Sequence, residues 1–265
     1  MSETNLLDSI KIKTLSENNQ KGEFEIEGLY RGYGITLGNA LRRVLLSSLK
    51  GASITQVKIK NVSHEFSTIE GIMEDVITIT LNLKKIRFRL YTDESQVLTL
   101  KVKGEKKVTA ADIQPNPEVE IVNQDAMIAT LTNKNASLEM ELTVEKGLGY
   151  VPAEERKTER LPIGTIAIDA IFTPIVNVNF TVEDMRVGER TDYNRLKIFI
   201  NTDGTITPSM ALKEAIDILK GHLEKISQLE VKEIEAPKNK ETKKEIKKEA
   251  KKKVSEKNKK VKEKK

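Results

Sequence analysis

The sequence has no cysteine and no tryptophan among its 265 residues. Without thiols the chain cannot form disulfides, use a thiolate nucleophile or bind a metal through cysteine. No run approaches the roughly 20 apolar residues of a membrane span, and the first residues, MSETNLLDSI, lack the basic start and apolar run of a signal peptide. We therefore expect a cytoplasmic protein with no membrane partner.

Residues for catalysis or metal binding are also scarce. The only two histidines, His64 and His222, are far apart in sequence and have no evident third ligand. The acidic pairs Glu74-Asp75 and Glu183-Asp184 flank predicted strands, where adjacent side chains point to opposite faces and cannot form an acid–base couple. The sequence therefore predicts no catalytic residue, no cofactor and no metal in this chain.

A glycine-rich loop, Gly32–Gly38, precedes a predicted helix and invites comparison with dinucleotide-binding loops. Its third glycine comes one residue late for GxGxxG, and the next strand, 54–60, ends beside asparagine where a ribose-binding carboxylate would be expected. A glycine turn that lets the chain enter a tightly packed helix accounts for the same residues.

Positive charge is concentrated at the carboxyl end. Residues 232–265 hold 16 lysines and seven glutamates, which leaves 29 basic and 33 acidic residues in the rest of the chain. This segment has no aromatic residue and very few apolar ones, so we expect a disordered tail. The tail could contact nucleic-acid phosphates or could only solubilise the chain.

Most of the remaining pattern predicts short strands. The predicted strands cover 24–27, 54–60, 76–83, 86–91, 97–102, 119–122, 137–144, 175–187 and 196–201. Two helices interrupt this pattern, so the predicted fold class is α+β.

The first helix is predicted over Thr36–Leu49. Its apolar residues fill one broad arc, which predicts burial on more than one side; they are Leu37, Ala40, Leu41, Val44, Leu45 and Leu49. Leu46 falls on the opposite face between Arg42 and Arg43, a pattern typical of a protein contact but also compatible with an ordinary surface leucine.

The second helix is predicted from Thr207 as N-cap and Pro208 as first helical residue to about Leu229, after an Asp203-Gly204 turn. An apolar stripe recurs at three- and four-residue steps and fits either packing within the chain or a dimer seam; it comprises Leu212, Ala215, Ile216, Leu219, Leu223 and Ile226.

Several motifs in one order resemble the bacterial DNA-directed RNA polymerase alpha subunit. The longest is RGYGITLGNALRRVLLSS at Arg31–Ser48. The others are HEFST at 64–68, Glu74-Asp75, LNLK at 81–84, GYVPAE at 149–154, IDAIFTP at 168–174 and RTDYNRL at 190–196. The similarity spans about residues 24–229.

The resemblance implies a two-part N-terminal domain. Residues 1–50 and 175–231 would form a dimerisation and assembly subdomain, 51–174 an inserted β-rich subdomain, and 232–265 the tail. It implies a homodimer that serves as the platform for assembly of the beta and beta-prime subunits, with omega and sigma in the full enzyme. Nucleotidyl transfer and its magnesium would belong to the large subunits.

The resemblance also assigns contacts residue by residue. Those toward beta are Arg42, Arg43, Leu46, His64, Glu65, Phe66 and Ser67. Those toward beta-prime are Lys84 and Ile168. The homodimer interface would use Leu37, Leu41, Leu45, Leu212, Ile216, Leu219 and Leu223.

The chain departs from the family at its carboxyl end. Members commonly carry a compact helical C-terminal domain that contacts promoter DNA, and we do not expect one within the 34 tail residues. The alternative hypothesis is a stand-alone nucleic-acid-binding protein acting through the basic tail, whose affinity would survive on the isolated tail peptide.

Overall fold

The computed structural model describes residues 10–156, 162 and 164–229. The predicted disordered tail, 232–265, lies outside the described residues. The described residues divide into two units, and the second begins at Glu224. The described residues of the second unit form the last turn of a helix. In this turn the Ser227 hydroxyl donates to the Glu224 carbonyl at 2.8 Å.

The elements follow one another along the chain, with a 3-10 turn at Ala110–Asp112. In order they are β1 (Lys11–Glu17), β2 (Lys21–Leu29), α1 (Tyr33–Ser47), β3 (Lys50–Ile59), α2 (Val76–Leu83), β4 (Phe88–Leu90), β5 (Gln96–Lys103), β6 (Lys106–Thr109), β7 (Val119–Ile121), β8 (Met127–Leu131), β9 (Ser137–Leu148), β10 (Tyr150–Val151), α3 (Ala153–Arg156), β11 (Thr165–Ala167), β12 (Ala170–Ile171), β13 (Ile175–Val187), β14 (Arg190–Thr202) and α4 (Pro208–Ser227).

The helical lobe consists of α1, α4 and an antiparallel sheet in the order β1-β2-β14-β13. Period-two alternation turns one face of the sheet toward α1, so that Phe24, Ile26 and Ile198 are buried. Ala211 and Ala215 of α4 are buried in the same cluster. Both ends of unit 1 thus contribute to one hydrophobic core.

The insert lobe lies between α1 and β13 in the chain. Its main sheet has the order β5-β9-β3-β4-β7 with β11 paired to β3, while β6 pairs with β8 and β10 with β12. Helix α2 contributes Val76, Ile79 and Leu83 to a second, separate hydrophobic cluster. The mixture of helices and antiparallel sheets confirms the α+β class, whereas the predicted subdomain boundaries stay a prediction.

Glycines allow α1 to pack unusually close to the sheet. Gly32 precedes the helix with a φ of 86°, in the left-handed region that favours glycine. A Cβ on Gly38 would lie 2.6 Å from the Phe180 ring, and one on Gly34 would lie 2.7 Å from Val182. The helix therefore approaches β13 more closely than a side chain would allow, which confirms the packing interpretation of the glycine-rich loop.

The second helix begins where the sequence predicts. The Thr207 hydroxyl accepts the Met210 amide at 3.4 Å, as an N-cap does, and Pro208 opens α4. Gly204 has a φ of 93° in the preceding turn. The predicted strand 175–187 also coincides with β13.

The strand predicted over 76–83 is wrong, because these residues form α2. Its β-branched residues favour a strand locally. However, the Asp75 carboxylate accepts the Thr78 amide at 2.8 Å as an N-cap, and the residues at the i, i+3 and i+7 positions are buried. Capping and burial therefore outweigh the local preference. Sequence reasoning also missed β1, β6, β8, β10, β11, β12 and α3, most of which are short.

The acidic pairs have structural roles. Glu74 accepts the Thr130 amide at 2.6 Å, and Asp75 caps α2. Glu183 pairs with Lys197 at 2.9 Å, while Asp184 accepts from the Asn194 side chain at 3.1 Å. None of these carboxylates faces its sequence neighbour as an acid–base couple.

Across the described ranges, no helix is long and apolar enough to cross a membrane.

Candidate assembly surface

The outer face of α1 presents charged and apolar side chains together. Leu41 and Leu45 point into the core, while Arg42 and Arg43 are exposed and Leu46 is 38% exposed. Among the described residues neither arginine side chain has a hydrogen-bond or ion-pair partner. An arginine side chain without a partner in its own chain keeps its charge and its five donors available. This face can therefore bind carboxylates or carbonyls of another chain.

A short turn at 64–67 presents a second group of predicted contact residues. The Ser67 amide donates to the His64 carbonyl at 3.3 Å, and the Ser67 hydroxyl lies 3.1 Å from His64 Nδ1. These bonds close the turn and leave Phe66 74% exposed. A large exposed ring next to charged side chains is typical of a protein-binding surface.

Glu65 and Lys84, predicted to contact different partners, line one cavity of about 170 Å³. Ile77 and Leu81 of α2 supply its apolar wall, and Asp169 supplies a second carboxylate. The structure therefore brings together two predictions that were separate in the sequence.

The charged group at this cavity is ordered by hydrogen bonds. Lys84 Nζ donates to Asp169 Oδ2 at 3.0 Å, and the Ala153 amide donates to Asp169 Oδ1 at 2.9 Å. The Ala153 hydrogen bond, followed by that from Lys84, holds the pKa of the Asp169 carboxyl below its ordinary value of 3.8. The carboxylate is therefore ionised at neutral pH and fixes the direction of the lysine side chain.

The segment Gly149–Tyr150 links this cavity to α1. A Cβ on Gly149 would lie 3.8 Å from the Ser47 carbonyl oxygen at the end of α1. The Tyr150 side chain makes a small contribution to lowering the pKa of the Asp169 carboxyl, while most of the tyrosine ring stays exposed. The predicted contacts on α1 and those around Lys84 therefore lie on either side of one short segment.

Ile168 is not available as a surface contact, which corrects its assignment toward beta-prime. Its side chain is 1% exposed and belongs to the core of the insert lobe. The neighbouring Asp169 lies with Ile168 in the connection between β11 and β12 and is partly exposed. At this site Lys84 and Asp169 are the residues that a partner could reach.

The predicted dimer interface also needs correction. Leu41, Leu45 and Leu212 are buried in the core of their own chain, so they cannot form a seam with a second copy. Leu37 and Leu219 are partly buried against that core. Ile216 and Leu223 are 42% and 65% exposed, and they keep the apolar stripe of α4 open to solvent.

Sequence reasoning missed Asp169 and Tyr150 as members of the surface. Both lie within motifs that were recognised, IDAIFTP and GYVPAE. An acidic residue between apolar ones was a usable signal for Asp169, since a buried strand rarely carries an unpaired carboxylate. Its pairing with Lys84, 85 residues away, depends on the fold.

The histidines have local roles. His64 belongs to the 64–67 turn, and His222 Nδ1 lies 2.9 Å from the Ile218 carbonyl on its own helix. Within the part of the chain that the structure describes, no three histidine, aspartate or glutamate side chains are grouped so that they could hold a metal ion.

Exposed arginines, an exposed leucine and an exposed phenylalanine over a two-lobed α+β fold are features of a subunit that binds other proteins. Comparison with known proteins gives the family. Residues 57–173 match the family described as RNA polymerase Rpb3/RpoA insert domain.

Three relatives are DNA-directed RNA polymerase alpha subunits. That of Symbiobacterium thermophilum is 52% identical over 235 residues, which are 87% of this chain and 74% of the relative. That of Carboxydothermus hydrogenoformans is 50% identical over 81% of this chain and 68% of the relative. That of Oceanobacillus iheyensis is 49% identical over 80% and 68% respectively. The chain belongs to the family of DNA-directed RNA polymerase alpha subunits, which are proteins of transcription.

Proposed function

We propose that this chain dimerises and then serves as the platform on which the beta and beta-prime subunits of RNA polymerase assemble. The observation that carries the proposal is the outer face of α1, where Arg43 and Leu46 are exposed beside a fully buried Leu45. In a chain of this family, arginine donors held on a rigid helix are suited to bind another subunit.

The dimer seam in this proposal is the exposed part of the α4 stripe. Ile216 and Leu223 are apolar side chains in water, and a symmetric contact would bury both of them in each copy. Leu219 lies between them on the same face and is already half covered. These three residues replace the larger set predicted from the sequence.

The contact with the beta subunit uses Arg42, Arg43 and Leu46 together with the turn 64–67. The contact with beta-prime uses Lys84 and Asp169. Because Glu65 and Lys84 share one cavity, the same region of each copy would engage whichever large subunit that copy meets. Assembly would then make the two copies different, although their sequences are the same.

Catalysis in this proposal belongs to the large subunits, which would hold the magnesium ion, and omega and sigma would join later. The chain would act by holding those subunits in place in the cytoplasm, with no catalytic residue of its own. The tail at 232–265 is proposed only as a weak, salt-sensitive contact to DNA.

The test is co-purification of the tagged chain with its cognate beta and beta-prime subunits, followed by light scattering. Wild type is expected to form a dimer that captures beta. Arg43→Ala should still dimerise but capture at least about tenfold less beta, because truncating an arginine that is a hot spot at an interface costs about 2 kcal/mol or more.

Lys107→Ala is the matched control, since Lys107 is an exposed basic residue on β6, away from α1. Capture by this variant should equal that of wild type. A wild-type chain that stays monomeric and ignores beta would rule out the platform function. Equal capture by Arg43→Ala and wild type would remove Arg43 from the contact.

A further inference from the structure

The two lobes also touch through side chains beside the points where the chain crosses between them. Arg89 Nε of β4 donates to the Thr205 carbonyl at 2.9 Å, and Arg89 Nη2 donates to the Gly204 carbonyl at 3.4 Å. These residues are more than 100 positions apart in sequence. Arg87, two residues earlier on the same strand, lies 3.8 Å from the Asp203 carboxylate. We call Arg87, Arg89 and residues 203–205 the inter-lobe latch.

Both sides of the latch are held firmly. Arg89 Nη1 donates to Glu120 Oε2 at 2.8 Å, and the Tyr91 hydroxyl donates to the same oxygen at 2.5 Å. The hydrogen bond from Tyr91 and the charge of Arg89 lower the pKa of Glu120. The guanidinium is therefore fixed on the insert lobe before it reaches across to the helical lobe.

On the helical lobe, the turn that receives Arg89 is bonded to itself. Asp203 Oδ1 accepts the Thr205 amide at 3.0 Å and the Thr205 hydroxyl at 2.5 Å. The Asp203 amide donates to the Pro174 carbonyl at 2.9 Å, where the chain leaves the insert lobe. The Gly204 and Thr205 carbonyls consequently have fixed directions.

This turn leads directly into α4, which carries Ile216 and Leu223. A cavity of about 430 Å³ beside the latch is lined by Lys50 and Phe88 from one lobe and by Ile206 and Met210 from the other. The latch therefore lies beside a groove between the lobes, next to a contact of Gly204 with Val122, whose Cγ1 would lie 3.2 Å from a Cβ on the glycine.

We propose that Arg89 is a positioning residue that sets the angle of the insert lobe relative to α4. The inference rests on the proposed function. A large subunit that binds both the outer face of α1 and the 64–67 turn needs these two surfaces at a fixed separation. Arg89 supplies that separation by directing two donors of one planar guanidinium to consecutive carbonyls, which a lysine ammonium cannot reproduce.

The test uses the full chain with Arg89→Lys, which keeps the charge opposite Glu120 and removes the planar fork. Arg89→Ala is a second variant, and Lys101→Ala is the matched control because it removes an ion pair within the insert lobe, that of Lys101 with Glu139 at 2.7 Å, and leaves the latch in place. The chain has no cysteine, so Lys107→Cys and Asn179→Cys place one spin label on each lobe at exposed positions. Labelled chains are refolded with a large excess of unlabelled chain, so that each dimer carries at most one labelled pair.

Both Arg89 variants should remain dimeric by light scattering. They should broaden the distribution of distances between the labels and weaken capture of the beta subunit by about tenfold, the scale of one lost charge-assisted hydrogen bond. Lys101→Ala should leave both readouts near wild type.

An unchanged distance distribution in Arg89→Lys and Arg89→Ala would overturn the latch, whatever happens to capture. A broadened distribution with wild-type capture would overturn its role in binding beta. If wild type itself fails to bind beta, the platform function is lost, and the distance measurement alone then decides whether Arg89 holds the lobes.

Discussion

At the residue scale, Asp169 illustrates how one carboxylate can organise a surface. It accepts hydrogen bonds from the Ala153 amide and the Lys84 ammonium, groups that come from two separate segments. Because these donors favour the ionised carboxyl, its pKa lies below 3.8, the ordinary value. Its contribution to stability is therefore present above pH 3.8 and is lost as the pH falls through the lower pKa of the folded state.

Asp169→Asn should lower the free energy of unfolding at neutral pH by about 1 kcal/mol, a modest value because the pair is partly screened by solvent. The difference from wild type should shrink as the pH falls below 3.8 and through the lower pKa of the folded state, because the wild-type carboxyl then also becomes neutral. Urea unfolding at two pH values, one neutral and one below 3.8, at one protein concentration, measures this difference.

Asp93→Asn provides the comparison. Asp93 pairs with Lys146 at 2.9 Å, but its carboxylate is 89% exposed, so little change is expected. A loss for Asp169→Asn that is the same at both pH values would contradict the ionic explanation.

Among the helices, α1 and α2 differ in how well the sequence predicts them. Helix α1 is predictable because its apolar arc is long and periodic. Helix α2 is not, because VITITLNL is rich in β-branched residues and only the Asp75 cap and three buried side chains make it helical. Over only eight residues, an apolar pattern with the period of two that indicates a strand is hard to distinguish from one with the period of 3.6 that indicates a helix.

The close contact between α1 and β13 leads to a prediction. Gly38→Ala should destabilise the chain by about 1 kcal/mol, since the strain of a methyl group against the Phe180 ring exceeds the gain in helix propensity. Gly221→Ala should instead stabilise it by roughly 0.5–1 kcal/mol, because nothing lies within 4 Å of the added methyl.

Gly221 lies on the face of α4 opposite Leu219 and Leu223, so this substitution does not touch the proposed seam. Chemical denaturation of both variants measures the two effects. Stabilisation by Gly38→Ala would mean that Phe180 moves aside easily and that the helix does not need glycine there.

At the scale of the whole molecule, the fold separates the residues that stabilise the chain from those available to partners. Leu41, Leu45 and Leu212 belong to the first group, and Ile216 and Leu223 to the second, although all five appear equivalent in the sequence pattern. The same separation distinguishes Ile168 from Asp169. Burial within the chain is the deciding quantity.

The double substitution Ile216→Asp, Leu223→Asp should convert the dimer to a folded monomer. Each carboxylate would have to be desolvated in the seam, so dimer affinity should fall by more than about a hundredfold. Light scattering at micromolar concentration gives the mass, and circular dichroism checks the fold.

Asp217→Asn changes charge on the opposite face of α4 and should leave the dimer intact. A dimer that persists in the double variant would place the seam elsewhere, for example on the exposed strand β1, where Ile12 is 68% exposed.

The α+β class, the start of α4, the extent of β13 and the family could be predicted from the sequence, because they depend on local periodicity, capping residues and long ordered motifs. Which apolar residues are buried, that 76–83 is a helix and that Lys84 meets Asp169 became evident from the three-dimensional fold. Periodicity identifies an apolar face but not what covers it. Contacts such as those of Arg89 with the 203–205 turn depend on where the fold places distant segments, and no local pattern encodes that position.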